Sequence, residues 1–156
     1  MAAKIKQKNP GWLKKLQSRY KKSKVIAVGY PLGSEGASAS YPDGTPLLLV
    51  AAANNFGAPS RGIPARDFMT QGGVRALEKT APIMKSLVKN LNKGKMTVDD
   101  ILEQMGPVAV AEFQQTIIDI SDPANTDKTI ELKGSSNPLV DTGLLNQTLT
   151  YVIRSE

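Results

Sequence analysis

Residues 54–69, NNFGAPSRGIPARDFM, limit what this chain can fold into more than any other stretch. Gly57, Pro59, Gly62 and Pro64 fall close together there, so no helix or strand can run through. Gly57 suits the left-handed backbone that ends a helix, and Pro59 cannot continue one. Ile63 precedes a proline and is biased towards extended geometry. The break is therefore a loop. It divides an upstream half, strand-like and alanine-rich, from a downstream half of two long helical patterns and a closing strand.

Upstream, residues 24–30 (KVIAVGY) are rich in β-branched side chains and bounded by Pro31 and Gly33, which predicts a strand. Residues 32–44 hold Gly, Ser and Ala with a Pro42-Asp43-Gly44 turn signal, and read as a loop. Gly29, Gly33 and Gly36 do not make a phosphate loop, because no Gly-Lys-Ser/Thr follows them. Thr45-Pro46 marks a helix start, with Thr45 as the expected N-cap. Residues 47–55 are almost wholly small and apolar, and a short helix apolar all round is expected to be buried.

Downstream, Asp67 can cap a helix over about residues 68–92. Val74, Leu77, Ala81, Met84, Val88 and Leu91 recur at helical spacing and mark its expected core face. Pro82 predicts a kink and Gly94 a stop. Lys85, Lys89 and Lys93 form a row on the opposite face, read as solvated. Thr97 caps the next helix, with Asp99 and Asp100 in its first turn where the helix dipole favours them. Its stripe runs Ile101, Leu102, Met105, Val108, Ala109, Phe113, Ile117 and Ile120, with a bend expected at Gly106-Pro107. Residues 124–136 read as a polar connector whose 129–133 alternation suggests a small strand or extended loop. Asp141-Thr142-Gly143 reads as a turn before a short helix over residues 144–147. Residues 149–153 alternate as a strand expected to pair antiparallel with residues 25–30.

Composition excludes several functions. With 156 residues the chain supports one domain with a real core. There is no Cys and no His, which rules out disulfides, Cys-ligated zinc, thiol nucleophiles and His-based triads. No constellation of nucleophile, base and orienting group appears, so an enzyme is not expected, and neither is a cofactor or a metal. The longest apolar run, residues 47–53, is far short of the roughly 20 residues of a membrane span. No signal core follows the basic N-terminus, so synthesis in the cytoplasm and no membrane partner are expected.

The charge is polarised. Residues 1–24 carry nine Lys or Arg and no acid, while the rest carries 11 basic and 14 acidic side chains. The expected organisation is a basic N-terminal arm, 1–24, on a single α+β domain, 25–156. Within the arm Trp12, Leu13, Leu16 and Tyr20 recur on one face among Lys14, Lys15 and Arg19, which predicts a basic amphipathic helix of two to three turns. Such a helix serves a partner groove or nucleic acid, or simply packs as a terminal helix.

Three segments resemble a known family. Residues 54–69 follow a pattern of small-apolar helix, Asn/His-Asn/Glu-Phe/Tyr-Gly, variable loop, then Ile-Pro-Ala-Arg-x-Phe-Met. Residues 137–145 (NPLVDTGLL), with Thr150, Tyr151, Val152 and Ile153, follow a Pro-Leu-x-Asp-Thr-Gly-x-Leu ending. Residues 25–30 match an early Val-x-Val-Gly strand. In this order they are similar to the tail-completion or neck proteins of tailed bacteriophages, the minor tail protein Z-like, virion-morphogenesis group. The chain departs from that group at Asn54-Asn55, where His-Glu or Asn-Glu is common, and at Asp67, where Pro is common.

The resemblance implies a structural virion protein of the head–tail junction, made in the host cytoplasm. Its expected partners are its own copies in a ring, six favoured and twelve the alternative, and the neighbouring head-connector and tail-terminator proteins. Genomic DNA in the channel is a further candidate contact. The resemblance assigns structural or assembly roles to Phe56, Gly57, Pro64, Arg66, Phe68, Asp141, Thr142, Gly143 and Leu145. A basic nucleic-acid-binding protein is the competing class. The fold expected from the elements is α+β, a small antiparallel sheet packed against two long helices.

Overall fold

The computed structural model describes residues 11–20 and 23–155. The remainder of the expected arm, residues 1–10, 21 and 22, lies outside the described residues.

Two long helices, the fourth and fifth α-helices of the chain, form the frame: α4 (Phe68–Asn92) and α5 (Val98–Asp119). Their ends follow from local chemistry. The Asp67 carboxylate accepts from Thr70 N at 3.1 Å and opens α4. Thr97 and Asp100 form a reciprocal capping box on α5, with bonds of 2.8 and 3.1 Å. Gly94, at φ 73°, closes the turn between them. The helices pack antiparallel as a hairpin, with Gly72 of α4 against the Phe113 ring of α5. A Cβ at Gly72 would come within 2.6 Å of that ring, so the close approach requires glycine. Both prolines, Pro82 and Pro107, lie inside continuous helices.

A two-stranded antiparallel sheet, β1 (Lys24–Gly29) and β2 (Thr150–Ser155), lies on α5. Ile26 faces Ile153 across the ladder and Val28 faces Tyr151. Ile26 and Val28 turn into the core, as period-two alternation requires. The architecture is α+β, with the small sheet and the long hairpin as expected. The remaining elements are α1 (Trp12–Arg19), α2 (Glu35–Ser38), α3 (Leu47–Phe56), α6 (Asp127–Lys133) and α7 (Leu144–Gln147). Phe68, Leu47, Ile117, Leu145 and Leu149 centre the larger core cluster. Leu91, Ile101 and Met105 centre a smaller one near the hairpin turn.

Five local expectations change. Residues 32–44 are not all loop: Ser34 caps the single-turn α2. Thr45 does not cap α3. The N-cap is Pro46, and Thr45 donates its backbone N–H to the Asp43 carboxylate at 2.9 Å. α3 is not buried all round: Leu47, Ala51 and Asn55 face inward, while Leu48 and Leu49 are exposed. Residues 129–133 are neither strand nor extended, but lie within the helix α6. Thr126 caps its start and Gly134, at φ 67°, its end, and this helical punctuation outweighs a five-residue alternation. On α4 the inward face is Gly72, Ala76, Thr80 and Leu91, with Val74 and Leu77 exposed.

Candidate assembly site

The loop after α3 is held by side chains on both sides of it. The Asn54 carbonyl accepts from the Arg66 backbone N–H at 2.7 Å, and the Asn55 amide oxygen accepts from Met69 N at 3.0 Å. Between those anchors the chain turns through a single 3-10 turn, residues 59–61, and a bridge between Ala58 and Ile63. Gly57 has φ 80°, and a Cβ there would meet Ala65 N at 2.9 Å. The position thus needs glycine both for conformation and for space.

Arg66 is the hub. It is 5% exposed. Its Nε donates to the Pro123 carbonyl at 2.7 Å, and its terminal nitrogens donate to Asn54 Oδ1, Ala124 O and Asn125 Oδ1 at 3.3, 3.3 and 3.4 Å. No carboxylate pairs with it in these bonds. Burial pushes its pKa below the ordinary arginine value, and the carbonyl fork keeps a group that stays charged satisfied. Asn125 then donates to the Asn137 carbonyl at 3.4 Å. Asn137 accepts from Leu139 N and Val140 N at 3.0 and 3.1 Å and donates to the Ile118 carbonyl at 2.8 Å. A continuous polar chain therefore joins the Ile63-Pro64-Ala65-Arg66 segment to the Asn137-Pro138-Leu139 segment.

Both segments line one open groove of about 530 Å³. Pro64, Arg66, Asp141, Thr142 and Leu145 all border it, together with Tyr41. Leu145 is buried, and Asp141 and Thr142 are exposed. Thr142 Oγ1 accepts from Leu144 N at 3.3 Å, and Gly143, at φ 79°, starts α7. Burial, then the Asp141 charge, push the Tyr41 hydroxyl above the usual tyrosine pKa. Tyr30 is pushed further up by burial and donates to the Leu145 carbonyl at 2.6 Å.

Phe68 and Phe56 stand elsewhere. Phe68 is 1% exposed and belongs to the core. Phe56 is 78% exposed and, with Leu48, borders a second groove of about 360 Å³ beside β1. The expected set thus divides into a groove group (Pro64, Arg66, Asp141, Thr142, Leu145), two backbone glycines (Gly57, Gly143), a core residue (Phe68) and an exposed aromatic (Phe56). The sequence reading missed Asn54, Asn55, Asn125 and Asn137 as the polar ties. Their signal was only that Asn55 and Asn137 flank turn residues, where an amide can cap backbone N–H groups.

The arm root is docked. Arg19 Nη1 donates to the last carbonyls of α4, Leu91 at 3.1 Å and Asn92 at 2.5 Å, and the Tyr20 hydroxyl bonds the Asn92 side chain. A cation at a helix C-terminus meets the negative end of its dipole. Leu16 is half-buried, while Trp12, Leu13, Lys14 and Lys15 are exposed.

Among the described residues no three Asp, Glu, His or Cys side chains gather as metal ligands, and no helix is long and apolar enough to cross a membrane. No protein-family model, curated protein or solved structure matches this chain.

Proposed function

We propose that the chain is a structural subunit of the head–tail junction of a tailed bacteriophage virion, a neck or tail-completion protein that assembles as a ring. Six copies are favoured and twelve are the alternative. The head-connector and tail-terminator proteins are its neighbours. The observation that carries the reading is the convergence of its two longest family-like segments. Ile63-Pro64-Ala65-Arg66 and the 137–145 segment, distant in sequence, border one groove, and a polar chain from Arg66 through Asn125 reaches Asn137 at the start of the second segment. A resemblance made of accidental short matches gives no reason for them to meet in space. Exposed Leu48, Leu49 and Phe56 add the apolar surface that subunit contacts use.

Particles lacking this protein, imaged by negative stain, test the reading. Separate DNA-filled heads and complete tails are the expected outcome, with normal joined virions overturning it. Native mass spectrometry of assembled necks reads the copy number, and a dimer alone sinks the ring.

One observation favours the nucleic-acid class as a second reading. Arg19 docks α1 on the end of α4 that carries Lys89 and Lys93, so Lys14 and Lys15 join those lysines at one end of the molecule. Duplex binding that falls steeply with salt supports that class.

A further inference from the structure

Helical periodicity puts Val74 and Leu77 on the core face of α4, yet within one copy they stay 53% and 68% exposed. The cause is the width of the sheet. Both strands lie on α5, and α4 extends past the outer side of β1. Between β1 and α4 runs an open groove of about 350 Å³, with Thr80, Met84 and Phe113 among its walls and Val25 and Leu77 at its exposed margins. Among the described residues no third strand pairs with β1. A strand with one partner turns alternate N–H and C=O groups outward, ready for another strand.

We propose that residues 3–8 of a second copy of this chain add as a strand to the outer edge of β1 and fill this groove. A helix would cover Leu77 but leave the β1 backbone groups to water, whereas an extended segment covers both. Residues 3–8 read Ala-Lys-Ile-Lys-Gln-Lys. Lys4, Lys6 and Lys8 fall on one face of such a strand, and Ala3, Ile5 and Gln7 on the other. That is the alternation of an edge strand with one side buried, and Lys is the residue that blunts its solvent side. The segment also has the six residues of β1. Its source is a neighbouring copy, because the docked end of α1 is not the end joined to residues 3–8. Arg19 and Tyr20 pin the C-terminal end of α1, whereas every residue from Gly11 to Lys15 is exposed. The identity of the occupant rests on the ring reading; the groove and the open edge do not.

The chain has no cysteine, so introduced thiols report without background. Ile5→Cys and Leu77→Cys proteins, mixed and treated with a short bifunctional maleimide, are expected to give a cross-linked dimer that neither gives alone. Leu77→Lys, at an exposed position, is expected to keep the wild-type melting temperature and lose self-association by at least tenfold. A double variant that cross-links only within its own chain overturns the exchange between copies. A Leu77→Lys protein that still forms rings by native mass spectrometry overturns the groove contact while leaving the ring reading standing. Mixed rings of the Ile5→Cys and Leu77→Cys proteins that give no cross-link overturn the proposal in the same way.

Discussion

Phe68 and Arg61 sit seven positions apart and have opposite fates. Phe68 is the largest fully buried side chain, and truncation of such an aromatic costs about 3–5 kcal/mol. Phe68→Ala is expected to abolish soluble folding or assembly, whereas Arg61→Ala, on the exposed 3-10 turn, is expected to be mild; thermal melts and ring yield read both. Gly106 offers a sharper test. A Cβ there would come within 2.2 Å of the Tyr151 ring, which is itself held by a 2.7 Å hydrogen bond to Glu103. Gly106→Ala is expected to destabilise by about 1–3 kcal/mol through overpacking, although alanine is the better helix former. In a Tyr151→Ala background the same change has open space and is expected to stabilise by up to about 1 kcal/mol. A double-mutant cycle in urea checks the sign reversal, and equal effects in both backgrounds would show that the ring does not set the glycine requirement.

At the scale of elements, the long hairpin and the short helices α1, α3 and α7 were legible, whereas α2 and α6 were not. Asp67, Thr97, Asp100 and Gly94 fix α4 and α5 by local bonds between near neighbours, so sequence alone locates their ends. α6 was misread because Ile130 and Leu132 mimic strand alternation, and only the flanking Thr126 and Gly134 tell against it. The first turns of α4 were misread for a different reason, whereas Met84 and Leu91 do face the core. Gly72 and Ala76 are small because α5 comes close there, and close packing of backbones has no hydrophobic signature. The groove was half legible: its turn residues repeat a pattern, but the asparagine ties depend on segments that meet only after folding. The ends of α5 also make a pH prediction. Bonds from the Thr97 backbone and hydroxyl hold Asp100 below the ordinary carboxylate pKa, and bonds from Arg75 and Gln115 do the same for Asp119. Depressed folded values mean that this stabilisation is present above the unfolded pKa of about 3.9 and is lost as pH falls through the folded values. The melting temperature is expected to be flat near neutrality and to fall below about pH 4. Asp100→Asn with Asp119→Asn should lower the neutral value and flatten that acid limb; an unchanged limb would place the acid sensitivity in other carboxylates.

For the whole molecule, the charge and the docking of α1 decide what the arm does. Nine basic side chains and no acid occupy residues 1–24, and the remainder is net negative, 11 basic against 14 acidic. In the proposed ring, neighbouring copies can therefore accept the arm electrostatically, with the lysines contributing orientation and on-rate more than affinity. The described part of the arm touches its own body through Arg19, Tyr20 and the half-buried Leu16, with no fully buried side chain on α1. Deleting residues 1–22 removes a cation from the C-terminus of α4, a loss of about 1 kcal/mol, and leaves both core clusters intact. The truncated protein is accordingly expected to fold, with a far-UV spectrum of the same helix content and a slightly lower melting temperature. It is expected to fail at incorporation into particles, because exposed Trp12 and Leu13 and the segment ahead of them are then missing from the proposed contact between copies. Arg19→Ala separates the two effects: it should reproduce the loss in melting temperature while keeping most of the incorporation. Normal incorporation of the deletion protein, combined with strongly salt-dependent duplex binding by the intact chain alone, would instead make the arm a DNA-binding element and remove it from the assembly contact.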